Sequence, residues 1–186
     1  MGSACESGEL YTAVIKGTSE QRLLDIASFY DYFEIQPLGN NDFLVRKGIL
    51  KSVEDIKNCN IHIVKLGEKL KKPVVATCDV HFLDPHEEYF RRILFHAQKY
   101  EDTSQAPLFL RTTDEMLEEF SYLGEETAHA VVVENSNRIA DMAETIELFQ
   151  PETAMPVIPD ATEKIMEVAY QTAKLLYGDP LPELVE

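Results

Sequence analysis

Along the first half of the chain the apolar positions switch between helical and strand spacing. Leu23, Leu24, Ile26 and Ala27 share a helical face behind Thr18-Ser19-Glu20, a cap signature. Tyr30 to Pro37 alternates as a short strand and stops at proline, and the loop Gly39-Asn40-Asn41 follows. Ser52 then caps a helix with Glu54 and Asp55 in its first turn and a stripe of Val53, Ile56, Ile63 and Leu70 predicted to be buried. Lys71-Lys72-Pro73 closes it. The next run, Val74-Val75-Ala76-Thr77, is apolar on both faces, as a parallel strand buried between layers would be. Strand, helix and strand in this order imply a right-handed crossover and an α/β architecture, either a barrel or an open sheet.

The second half reads as mainly helical, with a boundary near residue 106 that separates 1–106 from 107–186. Asp84, Pro85 and Glu87 form a helix start, and Tyr89, Phe90, Ile93, Leu94 and Ala97 give one helical face. Thr112 with Glu115 opens a helix carrying Met116, Leu117 and Phe120. Ala128, Val132, Asn135, Ile139 and Met142 outline a longer one. Residues 144–160, with Pro151, Pro156 and Pro159, read as a linker. A last helix around Ile165, Val168 and Leu175 ends at Gly178.

Composition narrows the function classes. A chain of 186 residues with 45% hydrophobic content can bury a real core. Its uncharged apolar runs, such as Val131 to Val133, are far too short to span a membrane, and MGSACESGEL is not a secretory leader. Cys5, Cys59 and Cys78 have no regular spacing, which points to a reducing cytoplasm without a disulfide framework. The net charge of −16 repels phosphate backbones, so this is not the composition of a DNA-binding module. The one basic cluster, Lys65, Lys69, Lys71 and Lys72, sits at a helix end, where cations offset the macrodipole.

The sharpest chemical signal is Thr77-Cys78-Asp79-Val80-His81-Phe82, at the end of the buried strand. Strand alternation puts Asp79 and His81 on one face, at the end where α/β folds hold their ligands. A carboxylate beside an imidazole can bind a divalent metal or form an acid–base pair. The plainer alternative is an Asp capping the next turn and a His satisfied by packing. Cys78 faces the other way, as a small core residue. Cys5 lies in a Gly- and Ser-bearing loop before a helix, where a lowered pKa would favour thiolate, although a mobile terminal thiol is the plainer reading. His62, His86, His96 and His129 have no second ligand at helical spacing and read as structural or solvated. Glu34 shares a strand face with Tyr32 and Gln36 and reads as a hydrogen-bonded structural carboxylate. With no glycine-rich phosphate loop, nucleophile elbow, CxxC pair or His-x-His, no catalytic or cofactor-binding residue is assigned.

As a set, SACESGEL, YDYFEIQPLGNN, LGEKLKKPVVATCDVHFLDP, RTTDEMLEEFSYLGEE, VVVENSNRIADM and LYGDPLPELVE resemble consecutive stretches of the PolC-type alpha subunits of bacterial DNA polymerase III. They occur in the family's order and cover essentially the whole chain. The resemblance implies a polymerase and histidinol phosphatase (PHP) domain, a distorted (β/α)7 barrel with a metal cluster at its C-terminal end. In that family a proofreading exonuclease is inserted within the domain, and this chain is similar to the part after it. Residues 1–106 would then be the C-terminal part of the barrel, and 107–186 the helical segment leading to the palm.

Carried over by motif, the family's Asp-x-His metal pair falls on Asp79 and His81, and its cysteine ligand on Cys5. Zinc suits these ligands, with manganese the alternative, and magnesium would serve the parent polymerase. The family's early His-x-His and the carboxylates of the exonuclease and palm have no counterpart here. Cys78 and Ser136 stand where the family more often has Gly and Pro. The resemblance implies a fragment of a cytoplasmic, replicative DNA-directed DNA polymerase with 3′→5′ exonuclease activity. Its partners would be the rest of that chain: the N-terminal half of the barrel, the exonuclease and the palm. It would reach DNA only through the parent and be inactive alone. Two rival readings are a free-standing PHP phosphoesterase, which would need the His-x-His in the same chain, and a non-catalytic acidic interaction module, which would need no metal.

Overall fold

Two short strands pair in parallel in the computed structural model, which describes residues 1–99, 104–146 and 155–185. Helices α1 (Glu9–Ile15) and α2 (Glu20–Ser28) precede β1 (Phe33–Ile35). A short α3 (Asp42–Arg46) and the long α4 (Val53–Leu70) lead into β2 (Val74–Ala76). Phe33 pairs with Val74 and Ile35 with Ala76. On the other side of β1, Gly2 bridges Tyr32 in parallel, and the Ser3 N–H donates to the Tyr32 carbonyl at 3.2 Å. The N-terminal segment therefore extends the sheet. Beyond β2 the described chain is helical: α5 (Glu88–Ala97), α6 (Thr113–Glu119), α7 (Glu125–His129), α8 (Asn135–Asp141) and α9 (Ala161–Tyr177). The fold is mostly helical around a small parallel sheet, and no helix is long and apolar enough to cross a membrane.

Helix α4 forms for the reasons its sequence announces. The Asp55 N–H donates to Ser52 Oγ at 3.3 Å, and the Asp55 carboxylate accepts from the Ser52 N–H at 3.0 Å, closing a capping box. Lys71 stops the helix in the left-handed conformation, φ 55°. Ile56 and Ile63 are fully buried, whereas Val53 is exposed because the first turn overhangs the core. Gly67 sets how closely α4 approaches the sheet. A Cβ there would fall 2.4 Å from Val74 Cγ2 and 3.0 Å from the Lys72 carbonyl. All three residues of β2 are buried, as their two-sided apolar pattern predicts.

The chain divides into two compact units, Met1–Glu144 and Thr145–Glu186. Within the first, Met116, Phe120, Ala128 and Val131 join Leu10, Phe33, Ile35 and Ile63 in a single core. Helix α6 carries the expected Thr112–Glu115 capping box. The longer helix expected across Ala128 to Met142 forms, running without a break as α7, a π turn at Ala130–Glu134 and α8. Asn135 Nδ2 donates to the Val74 carbonyl at 2.9 Å, fastening that turn to β2, while Ser136 Oγ donates at 3.3 Å to the Val131 carbonyl within the turn. Lys72, from the basic cluster, caps α2, donating to the carbonyls of Ala27 (3.0 Å) and Ser28 (2.7 Å). In the second unit α9 ends at Gly178, as its sequence predicts. Of the expected linker, residues 147–154 lie outside the described residues.

One residue that the apolar pattern does not explain joins four segments of the first unit. Asn60, fully buried on α4, accepts from the Tyr11 hydroxyl at 3.0 Å. Its amide donates to the Gln36 carbonyl at 3.0 Å and to the Tyr122 hydroxyl at 2.9 Å. Burial raises the pKa of Tyr11 and pushes that of Tyr122 up to about 12, so both phenols keep their protons. Replacing Asn60 by Leu keeps the volume but strands the Tyr11 hydroxyl and the Gln36 carbonyl. At ~1–3 kcal/mol for each unpaired buried group, urea unfolding should show a loss of about 3 kcal/mol. The exposed Asn58→Leu should stay within about 0.5 kcal/mol.

Candidate functional site

The loops that leave the parallel segments converge on a cavity of about 420 Å³ whose lining includes Glu6, Gln36, Asn40, Asp79, His81 and Arg91. Asp79 and His81 do meet in one cavity, but strand alternation is not what brings them there. β2 ends at Ala76, and Asp79 sits in a turn with φ 54°, the left-handed region. Asn40 steadies that turn, its Nδ2 donating to the Cys78 carbonyl at 2.9 Å. The Cys78 thiol faces Met116 Sδ at 3.1 Å and packs against the core, as the sequence predicts.

His81 is held at both ends. Its backbone N–H donates to the Leu108 carbonyl at 2.8 Å, beside a parallel bridge between Phe82 and Phe109. Its Nδ1 lies 2.8 Å from the Asp79 carbonyl oxygen. A carbonyl only accepts, so Nδ1 carries the proton and Nε2 keeps the lone pair. The Asp79 carboxylate is 3.8 Å from the same Nδ1. The pair thus presents a basic imidazole nitrogen and a carboxylate to one solvent-reached space.

The surrounding charges are mixed. Glu34 is half-buried on β1, and its pKa is raised by burial first and then by the charges of Asp79 and Glu6, with the Thr77 hydroxyl opposing. Arg91 reaches in from α5; burial lowers its pKa and the Asp79 carboxylate counteracts that. Arg46 and Lys47, at the end of α3, complete a cationic side. Sequence reasoning missed Glu6, Asn40, Arg46, Lys47 and Arg91, whose distance along the chain from Asp79 leaves no spacing to read.

Cys5 stands in a tight turn that begins at Ala4 (φ 59°) and closes with the Gly8 N–H donating to the Cys5 carbonyl at 2.8 Å. Its thiol pKa is pushed up, by burial first and by the Glu6 carboxylate, so the expected thiolate-favouring loop is corrected. The helix that follows, α1, begins at Glu9 directly after the turn, and burial still raises the thiol pKa. Two residues before Cys5, Ser3 is buried and its hydroxyl accepts from the Glu34 N–H at 3.0 Å. Glu6 lines the cavity, whereas Cys5 is not part of its lining. Among the described residues, no three His, Cys, Asp or Glu side chains are grouped so as to hold one metal ion.

Two measurements test this geometry. A Cβ at Gly8 would lie 2.3 Å from the Ser3 carbonyl, so Gly8→Ala must open the Cys5 turn. Site-resolved thiol labelling should then modify Cys5 faster than in the parent chain, with Cys59 and Cys78 unchanged. For Glu34, a raised folded-state pKa means that the ionised form weakens the fold above the ordinary glutamate pKa of ~4.3. Glu34→Gln should therefore raise the melting temperature at pH 7. The gain should shrink as pH falls and vanish below that value.

No protein-family model matches the chain. It is 50% identical over 187 residues to DNA polymerase III PolC-type of Clostridium perfringens, and 49% identical over 187 residues to the PolC-type protein of Caldanaerobacter subterraneus. The PolC-type protein of Bacillus subtilis is 40% identical over 190 residues. Each match covers 100% of this chain but only 13% of the relative. Along its whole length the chain is therefore similar to one segment of those much longer PolC-type DNA polymerase III proteins.

Proposed function

We propose that this chain is a segment of a replicative DNA-directed DNA polymerase with 3′→5′ exonuclease activity, and that it contributes part of a PHP metal site. The observation that carries this reading is the 50% identity along the entire chain to a stretch amounting to 13% of one PolC-type relative. The carboxylates for two-metal phosphoryl chemistry would belong to other segments, so this one is inactive alone. The barrel assignment draws support from the N-terminal segment, β1 and β2, which run parallel, and from α4, the helix that connects the two strands. It draws support also from a cavity among the loops that leave those strands, where such barrels place their ligands. The remaining strands would come from the N-terminal half of the domain.

The donors present fit part of a metal site. His81 would bind through Nε2, because the Asp79 carbonyl occupies its Nδ1–H, the usual outer partner of a metal-bound histidine. Asp79 would supply a carboxylate, and Cys5 a thiolate once its turn shifts and its proton is released. Zinc suits this set and manganese is the alternative, while magnesium belongs to the parent's palm. A bound cation would place a fixed positive charge among Glu6, Glu34 and Asp79.

Zinc titration and melting of three samples test the assignment: the chain alone, the chain co-expressed with the N-terminal half of the parent barrel, and that pair carrying Asp79→Ala and His81→Ala. The chain alone should bind weakly. The pair should bind tightly and melt higher, since a ligand at 100 times its Kd stabilises by ~2.7 kcal/mol. The double substitution should remove most of that gain. Equal affinity for the chain alone and the pair would show the split site to be wrong. Undiminished binding by the double variant would remove Asp79 and His81 from the ligand set.

A further inference from the structure

Helix α5 is amphipathic, yet most of its apolar ridge is left uncovered. Tyr89, Phe90, Ile93 and Leu94 make an apolar ridge at one-turn spacing, and all four are 50 to 61% exposed. Phe90 and Leu94 also border a cavity of about 430 Å³ with His81, Phe82 and the half-buried Arg91 and Phe95, the Arg91 guanidinium lying 4.6 Å over the Phe95 ring and donating to Gln105. Four large apolar side chains on one ridge form the kind of patch that marks an interaction surface. Its border is cationic: no Asp or Glu occurs between Tyr89 and Lys99, in a chain of net charge −16.

Three occupants suit such a ridge unequally. A nucleic acid would bind through free cations, but Arg91 is engaged with Gln105 and Phe95, and Arg92 pairs with Glu88 at 2.8 Å. A second copy of the chain, docked ridge to ridge, would set Arg92 and Lys99 against their own counterparts. The relatives supply the third: the chain spans 13% of their length, so most of the polypeptide lies outside it. An apolar helix face with an acidic margin matches both the spacing and the charge.

We infer that α5 is the ridge by which this segment docks on another part of the longer polypeptide, and that its occupant is a helix with aliphatic side chains at three- and four-residue spacing and Asp or Glu along its flank. The inference rests on the reading of the chain as a piece of a PolC-type polymerase. The test uses the parent polymerase with a photoreactive benzoylphenylalanine at Phe90, bound to primed DNA. The crosslinked peptide should come from outside residues 1–186 and carry that aliphatic and acidic pattern. A crosslink to DNA, to a second copy or within residues 1–186 overturns the inference, as does no crosslink. In parallel, Phe90→Asp with Ile93→Asp should lower the melting temperature of the parent but shift the isolated chain by less than about 2 °C, because exposed substitutions cost little. Equal shifts in both, or none in the parent, also overturn it. If the gene encodes no polymerase around this segment, the underlying reading fails as well; an active parent without the crosslink sinks this inference alone.

Discussion

The first unit depends on a single buried amide. Asn60 joins α4 to α1 through Tyr11, to the loop after β1 through Gln36, and to the turn after α6 through Tyr122. Apolar packing alone would let α4 slide by a fraction of a turn over the sheet. A fully satisfied buried amide does not, because each bond it loses leaves a polar group without water. Gln36 lines the candidate cavity and Tyr11 lies on the helix that follows the Cys5 turn. The hydrogen bonds that hold α4 in place therefore also place two of the loops around the site.

Around that cavity, charge is balanced locally in a chain that is strongly acidic as a whole. Glu6, Glu34 and Asp79 share one field, and part of their mutual repulsion is absorbed by Glu34, whose pKa rises. Arg91 supplies a counter-charge from α5. A cation bound beside Asp79 and His81 would answer the same repulsion more directly, which is the physical attraction of the metal reading. Cys5 fits that scheme less readily, because its thiol is held neutral by burial and by Glu6.

Similarity to one segment of much longer PolC-type proteins bears on the exposed side of the molecule. A free-standing domain would gain by burying the Tyr89–Leu94 ridge against its own core, at ~25 cal/mol for each Å² of apolar surface covered. Here Tyr89, Phe90, Ile93 and Leu94 each stay at least half exposed. An exposed apolar patch of this kind marks an interaction surface.

Local chemistry was legible in the sequence because it is decided within a few residues. The Ser52 and Thr112 capping boxes, the Gly178 stop, the two-sided burial of β2 and the placing of Cys78 against the core all follow from contacts or patterns of short range. Asp79 and His81 could be paired by their spacing, although a left-handed turn at Asp79, not strand alternation, is what joins them. What stayed hidden needs partners far along the chain. Asn60 looks like an intruder in an apolar stripe until Tyr11, 49 residues away, meets it. Arg91 comes to line the same cavity as Asp79 through the seating of α5, which periodicity cannot express: a stripe shows which residues share a face and not which way that face points. The Cys5 thiol was misjudged for the same reason, since sequence shows the nearby helix start while burial, which depends on everything packed around the turn, is set only by the tertiary structure.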